Sequence, residues 1–73
     1  MKERLTTALT QLNGYGKKLK AFYVRRMQKS FYRLHTCSII TMLELDELDA
    51  IIERYINDNN LYNEMIIAIS EEN

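Results

Sequence analysis

Apolar residues recur at three- and four-residue intervals along almost the whole chain, and little between them opposes a helix. There is no proline, and the two glycines stand together in Asn13-Gly14-Tyr15-Gly16. Proline would remove a backbone donor and clash with the preceding turn, so its absence leaves helix open nearly everywhere. No stretch alternates with period two for long enough to make a strand. The expected fold is all-α: a small bundle of three to four helices built around a central antiparallel helical hairpin.

The spacing places the helices. Leu5, Ala8, Leu9 and Leu12 fall at i, i+3, i+4, i+7 and predict a helix over about residues 3–12, with the glycine cluster as its end and turn. Val24, Met27, Phe31 and Leu34 predict a second over about residues 17–35. Thr36-Cys37-Ser38 reads as turn and cap, and Thr41 with Glu44 fits a capping box, with Ser38 a competing cap. The third helix is therefore expected over about residues 39–57. Its stripe of Leu45, Leu48, Ile52 and Tyr55, widened by Met42, Ile51 and Ile56, is a core or the seam of a dimer. Asn57-Asp58-Asn59-Asn60 is expected to break it, because short polar side chains compete for backbone hydrogen bonds. Asn60 would then cap a last helix, about residues 61–70, apolar at Leu61, Tyr62, Met65, Ile66 and Ile69.

At 73 residues the chain is expected to form one helical domain over residues 1–73. Its margin of stability is thin, and with a single cysteine no internal disulfide adds to it. A self-partner or foreign partner is one of the remaining sources of stability, so a homodimer is a natural expectation. The longest uncharged stretches fall far short of the roughly 20 apolar residues of a membrane span. The start lacks the apolar core of a signal peptide, and one unpaired cysteine suits a reducing compartment. A cytoplasmic location is expected.

Net charge is zero, yet the charges are segregated. Residues 1–36 hold nine Lys and Arg against one acid, a balance of +8, and residues 37–73 hold one Arg against nine acids, a balance of −8. The segment Lys17–His35 alone carries seven of the cations, four aromatics and no acid. At 100° per residue, Lys18, Arg25, Lys29 and Arg33 cluster opposite the apolar stripe, joined by Arg26, with Phe22 and Tyr32 beside them. Cations interleaved with aromatics suit an acidic protein surface, and they also suit single-stranded nucleic acid, where phosphates pair with cations and bases stack on rings. A basic amphipathic helix equally suits the surface of an anionic membrane. The alternative without a partner is intramolecular: in an antiparallel hairpin the basic flank of one helix meets the acidic flank of the next.

Other residues look chemical without forming a reactive set. Asp46, Asp49 and Glu53 share one helix edge, but that edge is normally wet and lacks the loop of a calcium site. His35 and Cys37 are two residues apart and do not face each other, and zinc needs four ligands. Cys37 is expected to be small filling at a helix junction. The two glycines lack the spacing of a phosphate loop. No catalytic residue, metal site or cofactor is expected.

Glu47-Leu48-Asp49-Ala50-Ile51-Ile52-Glu53-Arg54-Tyr55 resembles part of the signature of the small aspartyl-phosphate phosphatases that regulate sporulation phosphorelays. Those are two-helix hairpins whose second helix carries S-Q-E-L-D followed by an apolar pair and an aromatic. Leu45 and Asp46 stand where that family has Ser and Gln. The resemblance implies that Asp49 enters a response regulator's site.

The expectation drawn from charge and spacing is a small non-enzymatic binding protein: a regulator, inhibitor or accessory subunit. It would dock on a protein with an acidic or apolar surface through Phe22, Arg25, Arg26, Lys29, Tyr32 and Arg33. The alternative is a nucleic-acid-binding protein using the same helix, with a dimer presenting two copies of it.

Overall fold

The computed structural model describes residues 1–71. Helix α1 spans Lys2–Gln11 and runs into a 3-10 turn, Leu12–Gly14. Helix α2 spans Lys17–Thr36, α3 Met42–Asn59 and α4 Tyr62–Glu71. The architecture is a small all-α bundle, with no strand among the described residues. It is a plate rather than a ball, 32 × 29 × 16 Å along its principal axes.

Polar contacts fix the helix directions. Lys20 Nζ near the start of α2 donates to Asn59 Oδ1 at the end of α3, 3.1 Å away, so α2 and α3 form the antiparallel hairpin. At its closed end His35 Nδ1 lies 3.2 Å from the Ile40 carbonyl. A carbonyl only accepts, so the proton of that contact sits on Nδ1. Helix α1 lies along α3 in the same direction: Lys2 pairs with Glu47 at 2.7 Å, and the Tyr55 hydroxyl donates to Asn13 Oδ1 at 3.2 Å. Helix α4 packs back against α2.

The core draws on the stripes read from the sequence, joined by Ala21 and Ile40, while Tyr62, Ile66 and Ile69 of the last helix stay exposed. Leu5, Leu9 and Leu12 meet Leu45, Leu48, Ile52 and Ile56, with Ala21 and Val24 of α2 also buried. Met27, Phe31 and Leu34 of α2 and Ile51 and Tyr55 of α3 pack half-buried against them. Leu61 and Met65 join the core from the last segment.

The helix ends explain where the expected boundaries shift. Thr41 and Glu44 make the full capping box: Thr41 Oγ1 accepts from the Glu44 N–H at 3.1 Å, and Glu44 Oε1 accepts from the Thr41 N–H at 3.1 Å. The cap wins over Ser38, so α3 starts at Met42, three residues later than the spacing suggested. Ser38 instead takes left-handed backbone, φ 61°. There the N–H of Ser38 bonds the His35 carbonyl and that of Ile39 the Leu34 carbonyl, each at 2.9 Å, the Schellman closure of α2. The far end of α3 closes in the same way. Asn60 adopts φ 53°, and its N–H and that of Leu61 bond the carbonyls of Asn57 and Ile56. Asn57, Asp58 and Asn59 therefore continue the helix instead of breaking it, and Asn60 closes α3 instead of capping α4. Asn tolerates left-handed backbone better than most residues, which places the stop there.

Two expectations about burial fail. Cys37 is exposed, because the turn carries it outside the junction. Met42 is 56% exposed, because it begins α3 at the edge of the plate rather than under α2.

Candidate functional site

Helix α2 opens with Lys17, Lys18 and Lys20 and has no acid in its first turn, an arrangement that opposes its own dipole. Its last turn carries Arg33 and His35, which the dipole favours. Amphipathic spacing turns Val24 and Ala21 inward and leaves the cations at the edges and outer face.

The anticipated docking residues separate into two groups. Arg25, Lys29, Tyr32 and Arg33 line one wall of an open groove of about 750 Å³ between α2 and α3. Gln28 and Thr36 share that wall, and Leu45, Asp49 and Glu53 line the α3 side. Phe22 and Arg26 stand apart from it. The Arg26 guanidinium lies 5.8 Å from the centroid of the Phe22 ring, in cation–π contact. Phe22 also packs edge-on to Tyr23, with centroids 5.6 Å apart, and with Lys18 lines a smaller groove against Ile67 and Ala68 of α4.

The α2–α3 groove sets the two signs of charge on facing walls. Asp49 is half-buried, and its carboxyl is raised above the usual range by burial first, then by Asp46 and Glu53 beside it. Its proton affinity is thus governed by desolvation and by its acidic neighbours. Glu53 Oε2 accepts from the Tyr62 hydroxyl at 3.1 Å, which raises the phenol's pKa. On the basic wall the Nε of Arg25 is buried without a hydrogen-bond partner. A buried unsatisfied donor costs about 1–3 kcal/mol. Tyr32 is 66% exposed, an aromatic standing proud of the groove.

The remaining singled-out residues lie elsewhere. Leu45, Leu48 and Ile52 are buried within one copy, and Tyr55 is half-buried with its hydroxyl on Asn13. Among the described residues no group of three or more His, Cys, Asp or Glu is placed to hold a metal ion. No described helix is long and apolar enough to cross a membrane. The sequence reading anticipated that the edge carrying Asp49 and Glu53 would lie beside the basic flank, and it missed the contribution of Gln28 and Thr36 to the groove. The signal was available for Asp49: it adjoins the buried stripe at Leu45, Leu48 and Ile52, so it borders the packed face rather than open water.

Family models, curated proteins and solved structures offer no match to this chain. The functional reading therefore rests on the groove and its charges.

Proposed function

We propose that this chain is a small protein-binding regulator, inhibitor or accessory subunit that acts by docking and not by bond chemistry. Its docking surface is the α2–α3 groove, and its partner presents an acidic segment carrying at least one apolar side chain. Arg25, Lys29 and Arg33 receive the partner's carboxylates, and Tyr32 supplies the apolar contact with a polar tip. Arg and Tyr are among the residue types enriched at interface hot spots. Phe22 and Arg26 lie outside this groove, and no role in docking is assigned to them. A cytoplasmic setting belongs to the same reading, since an exposed free thiol suits a reducing compartment.

The observation that carries the proposal is the composition of the groove: a wall of cations with an exposed tyrosine, facing a wall that holds Asp49 and Glu53. A polyphosphate backbone laid in this groove would meet those two carboxylates directly. A protein segment that sets its carboxylates on the α2 wall and its apolar side chain towards Asp49 and Glu53 would avoid that repulsion, because its charges, unlike those of a phosphate backbone, are not continuous.

The test is capture from a native extract with and without nuclease, comparing the natural chain with an Arg25→Ala/Arg33→Ala variant. The expected result is a protein retained after nuclease treatment, with affinity at least about tenfold weaker for the variant. Loss of all captured material on nuclease treatment would replace this reading with nucleic-acid binding. In that case log affinity would fall linearly with log salt.

A further inference from the structure

The α2–α3 groove repeats its side chains at a fixed interval. Arg25, Lys29 and Arg33 stand at i, i+4, i+8 on one wall, and Leu45, Asp49 and Glu53 stand at the same spacing on the other. Four residues of helix advance about 6 Å, so both walls share one repeat. The contacts that fix the hairpin, Lys20 with Asn59 and His35 with Ile40, also fix the level of the walls. Between those two points Arg25 stands level with Glu53, Lys29 with Asp49, and Arg33 with Leu45. The facing cations do not hold the Asp49 carboxyl low; burial and its acidic neighbours hold it high instead. Room is left in the groove for charges that answer each wall.

We propose that a second copy of this chain closes the groove, packed face to face about a two-fold axis that runs along it. Charge complementarity selects both the occupant and the axis. A two-fold axis along the groove keeps each side chain at its own level and exchanges one wall for the other. The basic wall of each copy then lies over the acidic wall of its partner, Arg25 over Glu53 and Lys29 over Asp49. An axis across the groove would lay cation on cation and acid on acid, which repulsion opposes. The level that has no acid is the one at Leu45, and Tyr32, 66% exposed, reaches over it from the other copy. Glu53 already accepts from the Tyr62 hydroxyl at 3.1 Å, a contact that leaves the carboxylate its charge. A foreign segment would need a basic row and an acidic row at this interval and offset to match both walls. The second copy has both.

Exposed ion pairs are individually weak and screened by salt, so the dimer forms at high protein concentration and low ionic strength. A second copy and a docking partner exclude each other from the groove, and the docked chain is a monomer. The pairing itself does not rest on the docking reading.

The test uses the purified full chain with Cys37→Ser, in two forms carrying Gln28→Cys or Asp49→Cys, mixed in equal amounts under mild oxidation. Positions 28 and 49 lie on opposite walls at about the same level. The expected result is a mixed 28–49 disulfide forming at least about tenfold faster than either like-with-like product, since the pairing brings unlike walls together at high effective concentration. Sedimentation of the natural chain at low salt is expected to show mass rising towards a dimer with concentration and returning to the monomer at about 0.5 M salt. Arg25→Glu/Arg33→Glu is expected to stay monomeric with an unchanged helical spectrum. Like-with-like disulfides as fast as the mixed one, a monomer at every concentration in low salt, or a dimer that survives Arg25→Glu/Arg33→Glu would each overturn the pairing. No other protein is present in these measurements, so their failure and that of the docking reading are separate results.

Discussion

Helices α3 and α4 are both apolar helices on the same plate, yet they dispose of their apolar residues differently. In α3, Leu45, Leu48, Ile52 and Ile56 are all buried, and beyond the exposed Met42 and Leu43 of its first turn the outward surface is mostly charged or polar. In α4 only Met65 is buried, and Ile66, Ile67 and Ile69 face outward with Tyr62. Sequence spacing picks out the buried face of α3, but in the last helix it groups Leu61, Tyr62, Met65, Ile66 and Ile69, of which only Leu61 and Met65 are buried. It carries no information on how many faces the rest of the chain is large enough to cover. In 73 residues the core is filled by one stripe from each helix, and α4 has one stripe too many.

That contrast can be broken by paired truncations. Ile52→Ala removes a fully buried side chain and is expected to cost about 2–5 kcal/mol in urea unfolding. Ile66→Ala, which removes an exposed side chain, is expected to stay within about 0.5 kcal/mol of the natural chain. A large loss at Ile66 would mean that α4 packs differently within one copy.

The caps sharpen the comparison at smaller scale. Thr41→Ala removes the acceptor of the capping box at the start of α3, and about 1 kcal/mol of stability is expected to go with it. Ser38 holds left-handed backbone at the end of α2 without glycine's freedom. Ser38→Gly is expected to raise stability by about 0.5–1 kcal/mol, read from the same unfolding curves.

The smallest effects are pH-dependent and have opposite signs on α3. The folded value of Asp49 is raised by burial and by Asp46 and Glu53, so its contribution to stability is lost as pH rises from the unfolded carboxylate value through the folded one. Asp49→Asn is therefore expected to be the more stable protein at neutral pH, with the difference vanishing in acid. The Glu44 carboxyl is held low by hydrogen bonds from the Thr41 backbone and hydroxyl. Its contribution is present at neutral pH and is lost as pH falls through that lowered value. Glu44→Gln is expected to be the less stable protein at neutral pH and to converge with the natural chain in acid. Thermal melts of both variants across the acid range check the two signs.

Much of this fold was legible because its signals are local. The capping box at Thr41 and Glu44, the glycine cluster after α1 and the 3-4-3 stripe of α3 each depend on residues a few positions apart. The errors were also local, but decided by competition. Ser38 and the asparagine run both suit helix ends, and the choice between neighbouring candidates went to those whose backbone could adopt positive φ at the closing point. The candidate site was half legible. Arg25, Lys29, Tyr32 and Arg33 share a helix edge that spacing alone reveals, but their separation from Phe22 and Arg26 does not follow from it. That division depends on where α3 and α4 lie against α2, which is a long-range property. The same applies to Asp49, whose half-burial arises from packing between helices.

The most direct test of the docking surface replaces Tyr32 with a photo-crosslinking residue and compares it with the same residue at Ser30. Both positions are exposed on α2, but only residue 32 lines the α2–α3 groove. Irradiation of a nuclease-treated native extract is expected to join a protein to position 32 and not to position 30. Equal labelling from both positions, or no protein adduct at position 32, would contradict a partner seated in the groove.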